Sequence, residues 1–184
     1  MALNAHAYGS VLLHGALAER DGCGIVMAGP AGVGKTTASK RLPPPWRSLS
    51  DDHTLIVRDS LGVYWAHPWP TWSTLMFAKS GTVWDVKHYI PLKGIFFLSK
   101  HEKDQVKPIG EGEALCRLVS SIEQAYQLIT RDFRMSDKRS IGLEFFERAC
   151  ELAKDRPCYR LFASFEGPFW REIDRVIDAA SKGD

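Results

Sequence analysis

Gly29-Pro30-Ala31-Gly32-Val33-Gly34-Lys35-Thr36 is an unbroken G-x-x-x-x-G-K-[ST] stretch, the pattern of a loop that wraps a polyphosphate. Glycines let the backbone curl until successive amide N–H groups point inward as an anion nest. In such a loop Lys35 reaches the β- and γ-phosphates, and the Thr36 hydroxyl is a Mg²⁺ ligand. Backbone contacts assign nucleotide binding to Gly29, Ala31, Gly32, Val33, Gly34, Lys35, Thr36 and Thr37. The stretch therefore predicts a nucleoside triphosphate with Mg²⁺. It also predicts a fold in which a buried strand feeds the loop and a helix leaves it.

The flanks agree. Cys23–Ala28 is a short apolar run of the kind a buried strand has, and Val11–Leu17 is another, with Glu19-Arg20-Asp21-Gly22 reading as the turn between them. Beyond the loop a short helix runs to Leu42, where Pro43-Pro44-Pro45 stops it. Thr54–Val57 and Gly62–Trp65 alternate as strands around Asp59-Ser60, and Ile90–Leu98 reads as a further strand. Leu115, Leu118, Ile122, Tyr126, Ile129 and Phe133 recur at helical spacing, as do Ile141, Phe145, Ala149 and Leu152. A strand near Cys158–Ser164 and a closing amphipathic helix from Pro168 complete an α/β pattern, one domain over residues 1–184.

Composition excludes other classes. The chain has 184 residues, 45% apolar and 25% charged, with 24 Lys+Arg against 22 Asp+Glu. A net charge of +2 supplies no field for nucleic acid or an acidic membrane. No apolar run approaches the ~20 residues of a membrane span, and Met1–Ser10 does not read as a secretory signal. Cys23, Cys116, Cys150 and Cys158 lack metal-site spacing and read as small apolar side chains of a reducing, cytoplasmic setting.

Asp51 and Asp52 follow the loop by about fifteen residues. Adjacent carboxylates at a strand start point to different sides, so one can hold Mg²⁺ while the other takes a proton from an attacking hydroxyl. Trp65-Ala66-His67-Pro68-Trp69-Pro70-Thr71-Trp72-Ser73 reads, from His67 onward, as an irregular loop. Its Trp65, His67, Trp69 and Trp72 form either a recognition surface for substrate or a cover over the core.

Leu13-His14-Gly15, Gly22–Thr37 and Leu49-Ser50-Asp51-Asp52-His53 together resemble the catalytic domain of HPr kinase/phosphorylase, itself related to phosphoenolpyruvate carboxykinase. The likeness spans residues 11–57 and is thin thereafter. It is nearest to the small HPr-kinase-like proteins associated with peptide-modification gene clusters. It implies a P-loop kinase domain with a mixed sheet flanked by helices, and an ATP-dependent transfer to a serine hydroxyl of a small protein or peptide. On that likeness Asp51 is the catalytic acid/base, Asp52 assists Thr36 with Mg²⁺, and His14 sits beside the active site, its alternative being a purely structural histidine. The family's metal-binding glutamate before an Arg-Gly pair has no counterpart, since Pro91-Leu92-Lys93-Gly94 stands there. A small-molecule kinase or NTPase, or a nucleotide-binding accessory protein without catalysis, are the competing readings. Self-association into a homo-oligomer stays open, and no residue is assigned to neutralise the transferred phosphoryl group.

Overall fold

The structure is a computed structural model that describes residues 9–69, 85, 87–127, 130 and 134–180, with 135–138 described by backbone alone. Its strands are β1 (Ser10–Arg20), β2 (Cys23–Ala28), β3 (Arg47–Ser50), β4 (His53–Arg58), β5 (Tyr64–Trp69), β6 (Ile90–Lys100), β7 (Gln105–Pro108) and β8 (Cys158–Ala163). The helices are α1 (Lys35–Arg41), α2 (Glu111–Tyr126), α3 (Met135–Asp155) and α4 (Trp170–Ala180).

All eight strands join one mixed sheet in the order β2-β1-β4-β5-β6-β8-β7, with β3 also on β1. The pairs β2–β6 and β6–β8 are parallel, and the others antiparallel. Because β2 also pairs with β6, the ring β2-β1-β4-β5-β6 closes on itself. The two longest strands, β1 and β6, make this possible by each serving two sets of partners along its length.

Helices cover the sheet on both sides, so its central strands are apolar on both faces. Val26 and Ala28 of β2 and Ile95 and Phe97 of β6 face a core shared with Leu118 and Ile122 of α2 and Phe145, Ala149 and Leu152 of α3. Their neighbours Ile25, Met27, Phe96 and Leu98 face a second core with Ala38 of α1 and Ile173 and Ile177 of α4. The protein is thus an α/β molecule with a mixed sheet flanked by helices. Among the described residues no helix is long and apolar enough to cross a membrane.

Several boundaries differ from the sequence reading. The turn after β1 is only Asp21-Gly22, both at positive φ (52° and 75°), so Glu19 and Arg20 stay in the strand. The segment expected to be irregular from His67 is strand as far as Trp69. Pro68 is tolerated because β5 pairs with β6 only at Trp65 and Ala66, which leaves that edge free of a ladder farther on. Residues 70–73, including Trp72, lie outside the described residues. The strand expected from Gly62 starts at Tyr64, since Asp59 turns the chain by accepting from the amides of Leu61 and Val63 (2.9 and 2.8 Å). Helix α2 ends at Tyr126, with Ile129 and Phe133 outside the description. The cysteines are all free, and only Cys158 is buried, Cys116 being exposed.

Candidate functional site

The glycine loop leaves β2 at its C-terminal end, level with Phe97 of β6 and Gly15 of β1, the partners of Ala28. Gly29 is held so closely that a Cβ there would lie 3.0 Å from Val33 Cγ1 and 3.3 Å from the Leu98 carbonyl. Gly34 enters α1 at φ 108°, a conformation that side-chain-bearing residues rarely adopt. The loop closes on itself by a bond from Val33 N to Pro30 O (3.2 Å). Lys35 is only 6% exposed, and its Nζ donates to the carbonyls of Gly29 (2.8 Å) and Pro30 (3.2 Å). Burial pushes its amine below the ordinary lysine value, against the pull of the nearby Asp52 charge. Ala31 and Gly32 stand exposed at the crest, and Thr37 is exposed on the first turn of α1.

Facing this loop, β3 and β4 run one after the other along the same edge of β1, interrupted by Asp51 and Asp52. The two aspartates, standing two against two opposite Gly15 and Ala16, are an unpaired outward step in the ladder, the acidic bulge of this edge, while the register shift itself falls at Leu49, between the Leu17–Ser50 and Ala18–Ser48 pairs. Hydroxyls repair the gap: Ser50 Oγ accepts from Leu17 N (3.3 Å) and donates to His53 O (2.9 Å), while Thr54 Oγ1 donates to Gly15 O (2.9 Å). Across the bulge Thr36 Oγ1 donates to the Asp51 carbonyl at 3.4 Å, which ties α1 to the aspartate pair. Neither β3 nor this bulge was visible in the residue pattern, because Arg47-Ser48-Leu49-Ser50 lacks the alternation of an ordinary strand.

Asp52 sits between two imidazoles. His14 Nε2 is 3.1 Å from Oδ1, and His53 Nδ1 is 2.9 Å from Oδ2 but out of line for a hydrogen bond. The His14 bond above all, and then His53, hold the Asp52 carboxyl well below the usual carboxylate range, against the effect of its partial burial. The other His14 nitrogen, Nδ1, faces Gln124 Oε1 at 3.0 Å. Gln124 is oriented by α2, its Nε2 donating to Ser120 O and Oγ (3.1 and 3.2 Å). The two ring nitrogens of His14 thus reach a side chain of α2 on one side and the aspartate pair on the other. His14 therefore links α2 to the bulge. Gln124 lies 110 residues from His14 in sequence, and no local signal could have paired them.

The structure brings Lys35, Thr36, Asp51, Asp52 and His14 to one end of the sheet, while the aromatic residues of β5 are spread along it. Trp69 pairs with His53 and so lies at that end. His67 and Trp65 pair with Leu55 and Val57, successively farther away. Trp65 is engaged there: Nε1 donates to Asp59 Oδ2 (2.8 Å) and the indole meets Tyr89 edge-on. Pro91, where the resemblance lacks its glutamate, pairs with Trp65 at the distal end. Leu98, beside the loop, is seven positions farther along the strand, roughly 20 Å away. A carboxylate at position 91 would be out of reach of the loop.

Glycine loop, acidic bulge and mixed sheet define an α/β protein whose charged and hydroxyl side chains gather at the C-terminal end of β2. The chain belongs to the family described as SynChlorMet cassette protein ScmC, whose model matches residues 1–178. No curated protein matches the chain.

Proposed function

We propose that the protein is an ATP-dependent kinase with the P-loop fold of the HPr kinase catalytic domain, transferring the γ-phosphate to a serine hydroxyl of a small protein or peptide. The observation that carries this reading is the Thr36–Asp51 tie, which sets the acidic bulge directly against the glycine loop. Phosphoryl transfer requires a polyphosphate cradle and a carboxylate within reach of its outer end. Lys35, whose Nζ donates to the Gly29 and Pro30 carbonyls, can exchange those bonds for phosphate oxygens.

Mg²⁺ fits the donors present, since it takes hard oxygens and needs only one or two from protein. The Thr36 hydroxyl and the ionised Asp52, each of whose oxygens keeps a lone pair beyond the one facing an imidazole, would hold it. Bound there, the ion would neutralise charge on the β- and γ-phosphates. Among the described residues no group of three or more His, Cys, Asp or Glu is arranged to hold a metal. Asp51 accepts the hydroxyl proton, the serine oxygen bonds to the γ-phosphorus, and the bridging bond breaks to release ADP. Trp69, beside His53, flanks the approach of the acceptor, and the ATP requirement suits a cytoplasmic setting.

The test is incubation with γ-labelled ATP, Mg²⁺ and a panel of serine-bearing peptides and small hydroxyl metabolites. Label on peptide serine is the expected result. Label on a metabolite alone would move the assignment to a small-molecule kinase, and no transfer to any hydroxyl would overturn it.

A further inference from the structure

Phe165 is 85% exposed, a whole aromatic ring presented to water. The turn that carries it is nevertheless rigidly held. Arg41 of α1 donates from Nη1 to Ser164 O (2.9 Å) and from Nη2 to Gly167 O (2.7 Å). Asp104 Oδ1 accepts from Ser164 N (2.6 Å), and Ser164 Oγ accepts from Gly167 N (2.9 Å). Any Cβ at Gly167 would lie 2.1 Å from Asp104 Oδ2, so the turn packs to contact on that side. A ring carried into water on so firmly held a turn is placed for a ligand that covers it.

What it faces decides the ligand. Phe165 lines a cleft of about 370 Å³ whose opposite wall is the glycine loop and α1, at Gly34, Thr37 and Ala38. Val33, Leu98 and Ala163 give it apolar lining, and Lys100 and His101 add basic side chains. A flat apolar ring joined to a polyanion satisfies both the apolar lining and the basic side chains. A nucleoside triphosphate whose phosphates occupy the adjoining loop has that chemistry.

We infer that the cleft between Phe165 and the glycine loop is the nucleobase subsite, and that it selects purines by stacking on Phe165. The inference rests on the phosphate-binding reading of the loop and is independent of the acceptor. Selection by ring area follows from the neighbouring polar groups. Both Arg41 Nη atoms donate to turn carbonyls, and Ser164 Oγ accepts from the Gly167 amide, so these groups are held by the turn's own backbone. Adenine and guanine, with equal ring area, are then bound alike, and pyrimidines less well.

The test is calorimetric titration of the wild type, Phe165→Ala and Phe165→Trp with Mg²⁺ and ATP, GTP, UTP or inorganic tripolyphosphate. In the wild type, ATP and GTP bind within about threefold of each other and roughly tenfold tighter than UTP or tripolyphosphate. Phe165→Ala brings ATP down to the tripolyphosphate value, Phe165→Trp preserves the purine advantage, and neither shifts the thermal midpoint of so exposed a position. An unchanged ratio of ATP to tripolyphosphate affinity in Phe165→Ala, or an equal loss for both, would overturn the subsite and leave the loop reading standing. Failure of the wild type to bind either ATP or tripolyphosphate would overturn the loop reading, and the subsite with it.

Discussion

The glycine loop and strand β5 are the two most conspicuous stretches of the chain, and the fold uses them in opposite ways. In the loop, Lys35 is hidden and tied to two carbonyls, and the next residue reaches the acidic bulge. On β5, Trp65, His67 and Trp69 are strung along alternate positions, and only Trp69 reaches the level of the bulge. Fixed spacing in the loop prescribes a backbone path, so chemistry and geometry come together. The tryptophans and prolines of β5 announce contact area without saying which residue is near the site.

Substitutions can break that contrast, beginning with the largest effect. Lys35→Ala should weaken Mg·ATP binding and slow phosphoryl transfer by about 10²–10³-fold, as loss of a placed cation does. Trp65→Ala should change nucleotide affinity by less than about twofold, since a distal side chain removes no phosphate contact. Equal losses for the two, by calorimetry, would erase the distinction between loop and strand.

Next comes stability on β5 itself. Trp69 is half-buried against the main core, so Trp69→Ala should cost about 2 kcal/mol in urea unfolding. An exposed-loop value near zero would argue that the strand does not extend so far.

At the bulge, Asp52→Asn should cost about 1–2 kcal/mol at neutral pH by leaving His14 and His53 without their shared anion. The folded carboxyl is held below its unfolded value, so this stabilisation is complete above the ordinary carboxylate range near pH 4. It drains away as pH falls toward the depressed value. Urea midpoints of wild type and variant should therefore converge in acid, and a gap that widens there would contradict the pairing.

His67 should give the smallest effect. Burial pushes its imidazole below the ordinary value near 6.5, so the unfolded chain binds the proton more readily. Stability should then fall as pH drops through about 6.5, by less than about 1 kcal/mol, and His67→Gln should remove that slope. The His67–Tyr89 stack, with centroids 5.2 Å apart, contributes to that partial burial.

Much of this architecture was legible because burial on both faces leaves uninterrupted apolar runs. Cys23–Ala28 and Ile90–Leu98 read as strands for that reason, and Phe145, Ala149 and Leu152 as one helix face. Short polar strands were not legible: Arg47–Ser50 and Gln105–Pro108 owe their conformation to β1 and β8 rather than to their own residues. At the site, Lys35, Thr36 and the aspartates could be named from spacing. Gln124 and the Phe165 turn could not, because each acquires its place through partners 60 or more residues away in sequence, such as Gln124–His14 at 110 and Arg41–Ser164 at 123.

Whether loop and bulge act as one transfer site is decided most directly by measuring, on one preparation of Asp51→Asn, the Mg·ATP dissociation constant and the rate of label transfer to serine. Loss of a positioned base predicts a rate reduced about 10³-fold with affinity within about twofold of wild type. Transfer at the wild-type rate would contradict a catalytic role for Asp51 and separate the bulge from the chemistry of the loop.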